Sequence, residues 1–151
     1  MRVASPEAMA IVKSTAPALE QHGVAITTAM YKRLFQNKEV EAMFDKAAQQ
    51  SGEQPRRLAA AILAYSKNID HLENLTAAVE RMVSRHCDTM VKAEHYPYVA
   101  EALLPAIGEV LGADIATDEV LGAWGEAYWM LADILIDAEK KEYERRAVAP
   151  A

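Results

Sequence analysis

Apolar residues recur along this chain at intervals of three and four, the spacing that lines one face of an α-helix. Leu58, Ile62, Tyr65 and Ile69 form one such stripe, and Leu75, Val79, Met82 and His86 form a second. Val99, Leu103, Ile107 and Val110 follow Tyr96 in a third, and Leu121, Trp124, Tyr128, Leu131 and Leu135 make a fourth. Helix punctuation falls between them. Ser5-Pro6-Glu7 reads as a helix start, with a capping hydroxyl, a proline at the first helical position and an acid in the first turn. The first helix is expected to run toward Ala16, where Pro17 bends or ends it. His22-Gly23 then separates it from a second helix over residues 24–35. Residues 38–44 suggest a short helical turn, and the polar residues 45–53, with Ser51-Gly52, suggest a loop. Gln54-Pro55 opens the next helix, with Gln54 one turn ahead of Leu58 and so able to face inward. Residues 68–74 read as a polar connector. Gly112-Ala113-Asp114 closes the Tyr96 helix, Thr117 with Asp118 and Glu119 starts the last one, and residues 146–151 read as a short flexible tail.

Two polar residues stand on these apolar faces. His86 closes its stripe and is placed on a buried face. Glu139 lies one turn past Leu135, and the step from Tyr128 to Glu139 is three turns with roughly 20° left over. The other histidines, His22, His71 and His95, fall at helix ends or in connectors and are poorer ligand candidates. Pro105 falls inside the Tyr96 helix, where it should cost about 3 kcal/mol or bend the helix, moving Tyr96 relative to His86.

Composition narrows the class. At 151 residues the chain suits one domain with a real core. Hydrophobic residues make up 52% but aromatic ones only 7%, with Ala, Leu, Val and Met prominent, which favours an all-α fold. A net charge of -6 and a pI near 5.2 argue against nonspecific nucleic-acid binding, which needs clustered cations. Glu142, Arg145 and Arg146 read as a solvated helix end rather than a membrane patch. Cys87 is the only cysteine, so neither an intramolecular disulfide nor a cysteine zinc cluster can form, and a small buried side chain is expected there. No apolar run approaches the roughly 20 residues of a membrane span, and the first residues lack the apolar core of a signal peptide. Cytoplasmic residence is the resulting expectation.

A striped histidine late in the helix that follows a polar break is the pattern of helices packed around a haem. Several separated segments carry a closer likeness: residues 26–35, Glu53-Gln54-Pro55, His86-Cys87, Glu94-His95-Tyr96-Pro97 and residues 117–128. In these the chain resembles the bacterial single-domain haemoglobins of the Vitreoscilla type and the globin domain of flavohaemoglobins, from about Ala10 to Tyr143. Residues 36–40 depart from that pattern, lacking the proline usual there and being one residue shorter.

The resemblance implies a globin fold around a b-type haem, with His86 as the axial iron ligand. Tyr96 and Glu139 would support that imidazole and make it more electron-donating. Tyr31 would aim its hydroxyl at bound oxygen, with Gln54 as a second polar group and Leu58 as an apolar lid. Phe44 would wedge against the porphyrin, Arg85 would pair with a propionate, and Tyr128 would line the pocket, whereas Trp124 would serve packing. The implied ligands are O2, NO and CO, and the implied chemistry is conversion of NO to nitrate. That chemistry needs an electron from a separate reductase, or from a longer protein of which these residues are the globin module, since no FAD or NAD site is read in these residues. Oxygen binding and delivery without turnover uses the same residues and stays open, as does a haem-free helical sensor or interaction module. A homodimer is implied by resemblance alone.

Overall fold

The computed structural model describes residues 1–44, 47 and 50–148. Within them run seven α-helices: α1 (Pro6–Ser14), α2 (Ala16–Leu34), α3 (Lys38–Glu41), α4 (Glu53–Asn68), α5 (Thr76–Asp88), α6 (Tyr96–Leu111) and α7 (Asp118–Val148). Single 3-10 turns at Leu72–Leu75 and Ala93–His95 precede α5 and α6. There is no strand among the described residues. The all-α expectation holds, and three of the seven helices open on a side-chain cap. The Ser5 hydroxyl accepts from the Ala8 amide at 3.1 Å, Asn37 Oδ1 accepts from Glu39 and Val40, and Thr117 Oγ1 accepts from Val120 at 3.2 Å. Gly112, at φ +78°, ends α6 in a conformation that L side chains rarely adopt. Of the loop expected over residues 45–53, positions 45, 46, 48 and 49 lie outside the described residues.

Three expectations need correction. Pro17 neither bends nor ends the first helix. It sits in the first turn of α2, where its missing N–H would have had no helical partner. The break falls instead at Thr15, whose hydroxyl donates to Val12 O at 2.6 Å and accepts from Trp124 Nε1 at 3.1 Å. His22-Gly23 does not interrupt the chain either: α2 runs through it, leaving His22 half-buried in mid-helix. The glycine serves packing, because a Cβ there would lie 3.3 Å from Ala59 Cβ, so its absence lets α2 and α4 approach closely. Pro105 lies on the exposed side of α6, which runs through it to Leu111, with Glu101 also exposed. Finally, residues 146–148 are the end of α7 rather than a tail, and Arg146 Nη1 bonds Asp88 Oδ1 at 2.9 Å.

α2 packs across α4 and α6, and α1 lies along α7. Together they enclose a core built on Val12, Ile26, Met30, Ile69, Ile107 and Ala127. α5 packs on α7 over a second, smaller core of Val83, Cys87, Tyr96, Ala132 and Leu135. Tyr128 and Leu131 border both. No helix is long and apolar enough to cross a membrane among the described residues.

Candidate functional site

The positions of α5 that enter the core are Val83 and Cys87, not the Leu75-Val79-Met82-His86 stripe. That stripe is half-buried along its whole length, and the His86 side chain is 30% exposed. The face named from spacing is therefore real, but it stands one step round from the protein core. Leu58 and Ile62 of α4, Val99 of α6 and Leu131 of α7 are half-buried in the same way.

His86 is held from one side. Its Nδ1 lies 2.8 Å from Glu139 Oε2 and 3.1 Å from the Tyr96 hydroxyl, and that hydroxyl donates to Glu139 Oε1 at 2.6 Å. Glu139 is 3% exposed, so its carboxylate depends on these two donors. A carboxylate only accepts, which assigns the imidazole proton to Nδ1 and leaves the lone pair on Nε2. Burial, then the hydrogen bond to Glu139 and its charge, pushes the Tyr96 phenol well above its ordinary range, keeping it a donor. Burial, reinforced by the Glu139 charge, likewise raises the adjacent Cys87 thiol. Tyr128 donates its hydroxyl to the Tyr96 carbonyl at 2.6 Å, while Trp124 is buried against Thr15.

Tyr31, on α2, is 7% exposed, with ring centroids 5.5 Å from both Phe35 and Phe44. The hydroxyls of Tyr65, Tyr96, Tyr128 and Tyr143 each donate to a protein oxygen: Ala127 O, Glu139 Oε1, Tyr96 O and Val91 O. The Tyr31 hydroxyl has no hydrogen-bond partner among the described residues. Burial raises its phenol above the ordinary range, with the charge of Arg57 acting weakly the other way, so it stays protonated and able to donate. Nearby, Thr27 Oγ1 donates to Pro55 O at 2.7 Å and fixes the first turn of α4 on α2, with Gln54 and Leu58 half-buried beside it. Arg85 is exposed and forms no ion pair with a described residue. Phe35 was not singled out from sequence, although its i,i+4 spacing from Tyr31 on α2 already places the two rings on one face.

An imidazole nitrogen with a free lone pair, a buried phenol without a protein partner and a border of half-buried apolar side chains suit a flat apolar macrocycle whose metal is ligated from one side. No cluster of three or more His, Cys, Asp or Glu that could hold a metal occurs among the described residues.

Comparison with known proteins agrees with this geometry: the globin family model matches residues 27–135. This chain is a globin. Among curated relatives, a flavohemoprotein of Xylella fastidiosa is 51% identical over 89% of the chain, and one of Burkholderia sp. is 49% identical over 96%. The globin spans only 34% and 37% of those two proteins. Among solved structures, RmaNOD of Rhodothermus marinus, an engineered carbene transferase, superposes with a TM-score of 0.89 at 41% identity, covering 96% of this globin and 99% of that chain. A bacterial globin of Campylobacter jejuni gives 0.87 at 40% identity, covering 93% and 99%. A flavohemoglobin of Malassezia yamatoensis, with bound FAD and heme, matches over 37% of its length.

Proposed function

We propose that this globin binds a b-type haem with His86 Nε2 as the iron ligand, binds O2 on the Tyr31 side, and converts NO to nitrate with electrons from a flavin-dependent reductase. The observation that carries the reading is the pairing of a carboxylate-held imidazole with a buried phenol that no protein group engages. The flavohemoprotein relatives, and a Rhodothermus neighbour named as a nitric oxide dioxygenase, support the direction of the chemistry.

Haem, when bound, supplies the iron centre at which O2 and NO combine to give nitrate. Glu139 holds the Nδ1 proton of His86 and makes the imidazole more electron-donating, which favours oxygen activation over simple carriage. Tyr96 keeps Glu139 turned toward the imidazole. Tyr31 donates a hydrogen bond where negative charge develops on oxygen, with Gln54 as a second polar group and Leu58 excluding water. Phe44, packed edge-on to Tyr31, would wedge against the macrocycle, and the exposed Arg85 would pair with a propionate. The FAD carried by the Malassezia relative is the kind of donor that would return the one electron each conversion of NO to nitrate takes from the haem.

Stopped-flow mixing of the reduced, air-equilibrated protein with NO tests this. The reading expects loss of the oxygenated spectrum within mixing times and one nitrate per haem. An oxygenated form that survives NO, or yields no nitrate, leaves an oxygen-binding globin instead.

A further inference from the structure

Tyr128 sits where the two cores meet, half-buried and packed against both. Its ring stands perpendicular to Trp129 at 5.2 Å, and Trp129 is covered by the Arg2 guanidinium at 4.1 Å. Arg2 is fixed in turn by Asp133, at 2.7 and 2.9 Å. The Tyr128 hydroxyl therefore comes from a ring braced on its outer side, and it donates to the Tyr96 carbonyl at 2.6 Å. That carbonyl opens α6 and already faces the amide four residues on, so Tyr128 adds a second donor that ties the first turn of α6 to α7. The same residue's phenol is bonded to Glu139, also on α7. One helix thus grips Tyr96 twice, by backbone through Tyr128 and by side chain through Glu139.

We propose that Tyr128 is a positioning residue: by holding the Tyr96 backbone it sets the Tyr96–Glu139 hydrogen bond, and through it how strongly His86 donates to a metal. This rests on the haem reading above, and it is a role beyond the pocket lining expected of Tyr128 from resemblance. Charge-assisted O–H···O bonds of this length weaken steeply when a donor shifts, so a small loosening of α6 reaches the imidazole.

The test is the iron–histidine stretching frequency of the ferrous haem protein in Tyr128→Phe, Tyr96→Phe and the double variant. Tyr128→Phe keeps the ring and its stack on Trp129 and removes only the hydrogen bond. The frequency is expected to move in the same direction as in Tyr96→Phe but by less, with the double variant matching Tyr96→Phe. An unshifted Tyr128→Phe, or shifts that simply add, overturns the proposal while leaving haem binding intact. Amide exchange over the first turn of α6, measured on the same samples, does not depend on haem. Faster exchange in Tyr128→Phe is expected, and unchanged exchange overturns the proposal even where no haem is taken up.

Discussion

A buried hydroxyl normally finds a partner, because leaving it unpaired costs about 1–3 kcal/mol. Among the buried and half-buried tyrosines, Tyr65, Tyr96, Tyr128 and Tyr143 follow that rule, whereas the Tyr31 hydroxyl has no protein partner and, as no buried side-chain oxygen among the described residues lacks one, is itself reached by solvent. If its proton is kept for bound oxygen, Tyr31→Phe should speed O2 dissociation about ten- to a hundredfold, the worth of a hydrogen bond to a charged acceptor. CO dissociation, with far less charge on the ligand, should change little; stopped-flow displacement reads both, and equal effects on the two gases would contradict the role. The sequence made Glu139 legible because a carboxylate on an apolar stripe is anomalous in itself. The unpaired state of Tyr31 was not legible, since spacing does not count hydrogen bonds. Nor was the use of the Tyr128 hydroxyl, which goes to a backbone oxygen that side-chain patterns do not register.

At the level of elements, glycine and proline misled where they do something other than break helices. Gly23 is a contact surface between α2 and α4, so Gly23→Val should lower stability by about 1–3 kcal/mol through overpacking against Ala59. Gly23→Ala should cost far less, its 3.3 Å contact being offset by better helix propensity. Denaturant midpoints of the two variants separate these outcomes, and equal midpoints would mean the helices do not meet there. The charged end of α7 reads from sequence as a solvated helix end, and its Arg146 also joins α7 to α5. Arg145 and Arg146 both bond Glu142, and Arg146 reaches Asp88. The hydrogen bond from Arg145, then that from Arg146, pulls the Glu142 carboxyl down to about 2 from an ordinary value of 4.5. A lowered folded-state value stabilises above the unfolded one and is lost as pH falls through the folded one. Glu142→Gln should therefore lower Tm at neutral pH, with the difference fading between about pH 4.5 and about pH 2. A difference that persists at pH 2 would assign the effect to packing instead.

In the whole molecule, α5 stands apart from the main core. It is joined through α7, with its histidine face half-exposed. Helix periodicity placed one histidine and one carboxylate on apolar faces, and the likeness of several separated segments to bacterial globins, residues 26–35 and 117–128 among them, was enough to anticipate the family. The exposure of the His86 face was beyond that reading, as it depends on how α5 is set against α7. The globin spans about a third of its flavohemoprotein relatives. Haem attachment through His86 is the claim on which the rest depends, and a haem titration of the purified protein beside His86→Gly, followed by absorption spectroscopy, tests it most directly. The account predicts one haem per chain with a histidine-ligated ferrous spectrum, lost in His86→Gly and restored by added imidazole. A protein that takes up no haem, or a His86→Gly spectrum identical to the parent, would contradict it.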